Sequence, residues 1–247
     1  MVTAPFDSSG IDVLAFDVFG TVVDWHGTIS RHVDALALRG ADGGRIDGSA
    51  FALAWRAGYK PAMARVRSGE LPWTRIDDLH RMILDDVLAR YGIPAEDAFR
   101  RALNLVWHRL DGWPDSAQGL ARLKSRFTIT TLSNGNIALL TAMAKHAKLP
   151  WDCVLSAEVF RHYKPDPETY LGVADVFAVA PTRVLMVAAH ADDLDAARAC
   201  GLRTAYVERP FEYGRATPAA SATDAPRDPA FDLHATDLND LAAQLGC

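Results

Sequence analysis

The chain has 247 residues, 49% of them apolar and 23% charged, with a formal net charge of −5 at pH 7. That composition supplies a core for one large domain, or for a domain carrying an insertion. The acidic balance argues against a nucleic-acid partner, because a domain that neutralises phosphates is usually basic.

Residues 11–22 read Ile-Asp-Val-Leu-Ala-Phe-Asp-Val-Phe-Gly-Thr-Val, an apolar run that stops at Asp17 and turns at Gly20. A run of that length suits a strand buried on both faces of a parallel sheet. In open α/β sheets, chemistry gathers beyond the carboxyl ends of the strands, where Asp17 falls. Residues 29–38, 51–67, 75–91 and 95–110 then read as helices. In the third, Ile76, Leu79, Ile83 and Val87 recur at helical spacing. Gly92 and Pro94 stop that helix, and Glu96 and Asp97 place acid in the first turn of the next. No strand-like run falls between residues 25 and 110, which marks a helical insertion of about 85 residues.

Residues 111–115, Asp-Gly-Trp-Pro-Asp, read as the return linker. Beyond them, strands at 127–132, 153–156, 183–189 and 204–207 alternate with helices at 136–148, 168–178 and 194–200. That alternation points to right-handed βαβ units on a parallel sheet. Residues 217–229, rich in Ala, Thr, Asp and Pro, read as a surface loop, and 237–245 as a closing helix. The expected fold is α/β: a doubly wound parallel-sheet, Rossmann-like core of residues 1–24 and 111–247, with an inserted α-helical cap domain of residues 25–110.

Cys153, Cys200 and Cys247 are scattered, without metal-ligand spacing, and read as reduced thiols. The first ten residues lack the basic start and apolar stretch of a secretion signal, and no run approaches the roughly 18 apolar residues of a membrane span. A soluble, cytoplasmic protein with no membrane partner is expected.

Four predicted strand ends deliver polar groups to one edge of the sheet: Asp17, Ser133-Asn134-Gly135, Lys164, and the stretch from His190 to Asp193. Each alone has an ordinary explanation, as a helix cap, a turn or a solvated lysine. Their shared edge makes them a candidate site.

In order along the chain stand Phe16-Asp17-Val18-Phe19-Gly20-Thr21-Val22, Leu132-Ser133-Asn134-Gly135, Tyr163-Lys164-Pro165-Asp166-Pro167, and Asp193 ahead of Ala196-Ala197 and Gly201. This ordered set resembles the haloacid dehalogenase superfamily, and the helical insertion sits where that superfamily carries its cap. Most members are phosphatases, yet two positions depart from that chemistry. A phosphatase is expected to carry an acid two residues after the nucleophile, where this chain has Phe19. It also carries a Mg²⁺-holding Asp in the fourth motif, where this chain has Ala188 and Ala189, neither able to ligate a hard cation.

The pattern is instead similar to the L-2-haloacid dehalogenases, a branch that uses no metal or other cofactor. The activity implied is hydrolysis of short 2-haloalkanoic acids, including haloacetates, to 2-hydroxy acids through an aspartyl ester. The substrate is then a small halogenated carboxylate, and the resemblance also implies a homodimer through the cap helices. Two alternatives are a Mg²⁺-dependent small-molecule phosphatase and a catalytically silent member that binds a small carboxylate or a protein.

By position, Asp17 is the expected nucleophile and Lys164 the cation that keeps it ionised. Ser133 and the backbone amides of Val18 and Phe19 are expected to hold the substrate carboxylate. Arg56, after Trp55, is expected to receive the halide with help from Asn134; the plainer reading is a solvated helix charge. Tyr170 matches a tyrosine of the branch or simply packs its helix. Asp193 is expected to position or deprotonate the hydrolytic water, and Asp192 to be solvated. Trp25 either lines the cavity or covers the cap hinge, and Trp73 packs a loop. The Ala188-Ala189-His190 stretch resembles a subset that accepts fluoroacetate, and His190 carries two readings. It donates to a departing fluoride, or it hydrogen-bonds Asp193 and orients it.

Overall fold

The structure, a computed structural model, describes residues 6–214 and 231–247; the loop expected at 217–229 lies outside the described residues. The strands are β1 (Val13–Phe16), β2 (Val23–Asp24), β3 (Asp111–Gly112), β4 (Thr128–Ser133), β5 (Cys153–Ser156), β6 (Val184–Ala188), β7 (Arg203–Val207) and β8 (Leu233–Ala235). Six of them form one parallel sheet in the order β5-β4-β1-β6-β7-β8. Strand β1 lies at its centre, with Phe16 level with Thr131 of β4 and with Val187 of β6. That register brings three motif-bearing strand ends side by side. β8 was not foreseen from the sequence, because three residues are too few to show an alternating pattern.

Between β2 and β3 the chain is helical: α1 (Trp25–Leu36), α2 (Gly48–Ala57), α3 (Tyr59–Arg67), α4 (Ile76–Arg90) and α5 (Asp97–Asn104), then a 3₁₀ turn at Leu105–Arg109. The single helix expected over 51–67 is two helices. Pro61 has no N–H to give Ala57, so it fits only the first turn of a new helix. Gly58 at the break lets α4 come close, since a Cβ there would lie 2.4 Å from Ile83. The stripe of α4 is buried as its spacing requires, and Leu84 and Leu88 widen it. The expected linker at 111–115 begins as a strand: β3 pairs antiparallel with β2 and joins the two ends of the cap. Trp113 Nε1 donates to the Gly20 carbonyl at 2.8 Å and Ser116 Oγ to that of Val22 at 2.7 Å, securing this ribbon to the core.

The remaining helices are α6 (Ser116–Lys124), α7 (Ile137–Ala147), α8 (Ala157–Phe160), α9 (Pro167–Phe177), α10 (Ala191–Ala199) and α11 (Leu238–Gln244). Alternating side chains of β1 enter two separate cores. Leu14 and Phe16 meet Leu120 of α6, Leu139 of α7 and Leu238 of α11, while Val13 and Ala15 meet Tyr170 of α9 and Leu194 of α10. A strand covered by helices on both faces must be apolar throughout, which is why β1 carries no polar residue until Asp17. Each fully buried Leu or Phe contributes about 1.5–3 kcal/mol. No described helix is long and apolar enough to cross a membrane.

Candidate active site

Asp17 is the first residue past β1, and its amide donates to Val187 of β6 at 3.0 Å. The chain then turns sharply through Gly20, which holds φ +87°. The turn brings Thr21 back over the aspartate, so that its Oγ1 donates to Asp17 Oδ2 at 2.7 Å and accepts the Ala189 amide at 2.9 Å. Lys164 arrives from the loop before α9, where its amide donates to Asn134 Oδ1 at 2.8 Å. Its Nζ donates to Asp17 Oδ1 at 2.9 Å and to Asp193 Oδ2 at 2.5 Å. The other Asp193 oxygen accepts the Tyr170 hydroxyl at 2.5 Å. His190, in extended backbone just before α10, places Nδ1 3.2 Å from Asp17 Oδ2. Its Nε2 lies 3.0 and 3.1 Å from the two oxygens of Glu212.

This network fixes the charges. Burial alone would raise the Asp17 carboxyl, but Lys164 and His190 hold it well below the usual carboxylate range. Lys164 is held above its ordinary value, the two aspartates outweighing its burial. Asp193 is the opposite case: burial, reinforced by the Asp17 charge, raises it despite Lys164 and Tyr170. Burial would lower His190, yet Glu212 and Asp17 push it up to about 10. At neutral pH the site holds an ionised Asp17 beside two cations.

These groups face a cavity of about 390 Å³, whose far wall comes from the cap. There Arg56 of α2 stands with its guanidinium 4.1 Å from the Tyr59 ring and 5.4 Å from that of Trp25. Its Nη1 is buried and makes no hydrogen bond among the described residues. A buried donor left unpaired costs about 1–3 kcal/mol. Phe19 packs edge-on to Trp107 at 5.6 Å and Tyr59 at 6.3 Å, closing the wall with carbon where a phosphatase would carry an acid. At the mouth, two residues of α3 reach the core. Lys60 pairs with Asp192 at 2.9 Å, and Arg67 with Asp166 at 2.6 Å.

Asp17, Phe19, Asn134, Arg56, Lys164, Tyr170, His190 and Asp193 therefore converge on one cavity. Val18 and Ser133 lie behind its wall, both buried, and Ser133 Oγ accepts the Gly135 amide at 3.1 Å. Asn134 turns its Nδ2 to Met63 Sδ, 3.3 Å away. Trp25 is fully buried at the start of α1, beneath Arg56 rather than on the cavity. Trp73 packs on Tyr163. Asp192 is mostly exposed, as expected, while pairing with the cap.

One expectation is corrected. His190 does not hydrogen-bond Asp193 among the described residues, because it precedes α10 and its ring crosses to Asp17 and Glu212, whereas Asp193 lies inside the helix and meets Lys164 and Tyr170. Thr21, Tyr59 and Glu212 were missed. Thr21 stood inside a quoted motif and its hydroxyl was the available signal; Glu212 had none.

Residues 11–201 match the family model of the haloacid dehalogenase-like hydrolases. The chain belongs to that family. Among its relatives, (S)-2-haloacid dehalogenase 4A of Burkholderia cepacia is 31% identical over 212 residues, covering 80% of this chain and 84% of the relative. A crystal structure of a defluorinating L-2-haloacid dehalogenase is 41% identical and superposes with a TM-score of 0.89, covering 99% of this chain and all of the other. The L-2-haloacid dehalogenase of Xanthobacter autotrophicus with chloropropionic acid covalently bound is 25% identical, with a TM-score of 0.77 over 94% and 97% of the two chains. The Mg²⁺ of family phosphatases does not fit this chain. Ala188 and Ala189 offer no side-chain oxygen where a hard cation would need one.

Proposed function

We propose that this hydrolase cleaves the carbon–halogen bond of short 2-haloalkanoic acids, with Asp17 as the nucleophile. One observation carries the reading: an ionised carboxylate, braced by Lys164, Thr21 and His190, faces one cavity together with Arg56 of the cap. The Val18 and Phe19 amides, which have no acceptor among the described residues, seat the substrate carboxylate with the Ser133 hydroxyl behind them. Asp17 Oδ1, which has Lys164 as its donor, bonds to C2. The C–X bond breaks, and the halide leaves with its electron pair toward Arg56 and Asn134. Attack from behind the leaving group inverts C2.

Water then adds to the Asp17 carboxyl carbon, and Asp193 takes its proton. The raised pKa of Asp193 suits a base, and Lys164 and Tyr170 hold it in place. On collapse the carbon–Oδ1 bond breaks, and the alkoxide recovers the proton from Asp193. The new Asp17 carboxyl releases its own proton to solvent. The sum is one haloacid and one water giving one hydroxy acid, one halide and one proton.

Fluoroacetate falls within the reading. The likeness to a defluorinating enzyme and the small donor-lined seat at Arg56 support it. We take residues 25–110 as the cap and 1–24 with 111–247 as the catalytic core. A cytoplasmic location is supported by three free cysteines. A homodimer is supported by apolar side chains exposed on the cap, Met82 and Leu105, and light scattering tests it. The deciding experiment is a single turnover of (S)-2-chloropropionate in H₂¹⁸O with enzyme in excess. The label should enter Asp17 and be absent from the hydroxy acid; label in the first-turnover product means that water, not Asp17, attacked carbon.

A further inference from the structure

Glu212 has no part in the steps above, yet the fold is built around it. It lies past β7, is 0% exposed, and accepts Trp25 Nε1 at 3.0 Å as well as His190 Nε2. Gly20 backs onto it so closely that a Cβ at that position would lie 2.2 Å from Glu212 Oε1. The line Glu212–His190–Asp17 therefore ties three distant parts of the chain through one imidazole.

A carboxylate accepts and cannot donate, so a ring whose two nitrogens both face carboxylates must donate from both. His190 is an imidazolium by this geometry, and its strongly raised pKa agrees. Esterification of Asp17 removes one of the two charges that hold that proton; Glu212 is the one that stays. Asp17 Oδ2 becomes the ester carbonyl oxygen at the same moment. It already faces Thr21 Oγ1 at 2.7 Å and His190 Nδ1 at 3.2 Å. Water addition moves an electron pair onto this oxygen.

We propose that Glu212 is a positioning residue for the hydrolytic half-reaction: it keeps His190 an imidazolium while Asp17 is esterified, so that His190 Nδ1–H and the Thr21 hydroxyl stabilise the oxyanion on Asp17 Oδ2. This rests on the Asp17-ester reading. His190 keeps both protons throughout, so the proton count of the reaction is unchanged. Charge-assisted donors are about twice as strong as neutral ones, and removing an oxyanion donor costs about 10²–10³ in rate. Glu212→Gln leaves a neutral His190 that still donates, and the loss should be about tenfold.

The experiment is rapid quench of full-length enzyme with excess (S)-2-chloropropionate, following chloride and the mass of the Asp17 peptide. The Glu212→Gln enzyme should form ester at nearly the wild-type rate and hydrolyse it about tenfold more slowly, so that alkylated Asp17 accumulates after a chloride burst. His190→Asn, which also takes a cation from Asp17, should slow both steps and hydrolysis by more, so that ester again accumulates, and the double variant should hydrolyse no more slowly than the slower single variant. Equal slowing of both steps without ester accumulation overturns the proposal, as do multiplicative losses in the double variant. If Glu212→Gln does not fold, the His190→Asn split decides alone, and its absence overturns the proposal. An Asp17 peptide never alkylated, even in wild type, refutes instead the underlying nucleophile assignment.

Discussion

Replacing Lys164 with Met leaves Asp17 and Asp193 buried with no lysine between them. Lys164 is 8% exposed and its Nζ lies 2.9 Å from Asp17. With an effective dielectric of about 20, that separation corresponds to about 6 kcal/mol, or about four pKa units on Asp17. His190 and Thr21 remain and soften the change. The two carboxyls of K164M should then share a proton at neutral pH, and halide release at pH 7 should fall by at least about 100-fold. Raising the pH should recover part of the loss, because ionisation is what the variant lacks.

Stability follows the same pair. The lysine is raised in the folded state, so its contribution is complete below about pH 10.4 and is lost only above it. Asp17 is depressed, so its contribution is present above about pH 4 and is lost as the pH falls. Breaking the pair should cost about 3–5 kcal/mol in urea unfolding at pH 7. The assay is chloride release from (S)-2-chloropropionate between pH 6 and 10. A K164M enzyme that works at the wild-type rate at pH 7 would show that Asp17 needs no neighbouring cation.

Arg56→Lys keeps the charge but loses the planar fork of donors; halide release should fall about 10²-fold, and fluoride release from fluoroacetate, read with an ion-selective electrode, should fall furthest. Equal losses for fluoride and bromide would take the leaving group away from Arg56. The alkaline limit of turnover should follow His190. Its pKa is raised to about 10, so activity should persist through pH 6.5 and decline as the pH passes about 10. A pH–rate profile that falls near 7 would mean that the ring is not held between two carboxylates.

Much of this arrangement was written locally in the chain. Strand β1 ends where its apolar run ends, Asp17 is the next residue, and Ser133 closes β4. A parallel sheet makes those two strand ends neighbours, whereas Lys164 reaches them from a loop eight residues beyond β5. What remained hidden was set by pairings between distant residues. Glu212 sits in Arg209-Pro210-Phe211-Glu212-Tyr213, which has no periodicity. Its partner Trp25 is 187 residues away, and nothing near either residue announces the other. One of the two readings of His190 pairs it with Asp193, three residues on. A helix starts between them, and its first turn sends the two side chains to different partners. The break at Gly58 was legible in hindsight, since Pro61 cannot continue the helix begun at Gly48.

The cap is held unequally at its two sides. Its rear edge is fastened by a buried bond, that from Trp25 to Glu212. At the mouth one contact is wet: Lys60 and Asp192 are 80% and 69% exposed in their side chains, and such a pair contributes about 0–1 kcal/mol. Dissolved salt screens the exposed pair and leaves the buried bond nearly untouched, so raising ionic strength should loosen the rim of the cavity before it disturbs the wall that braces the nucleophile.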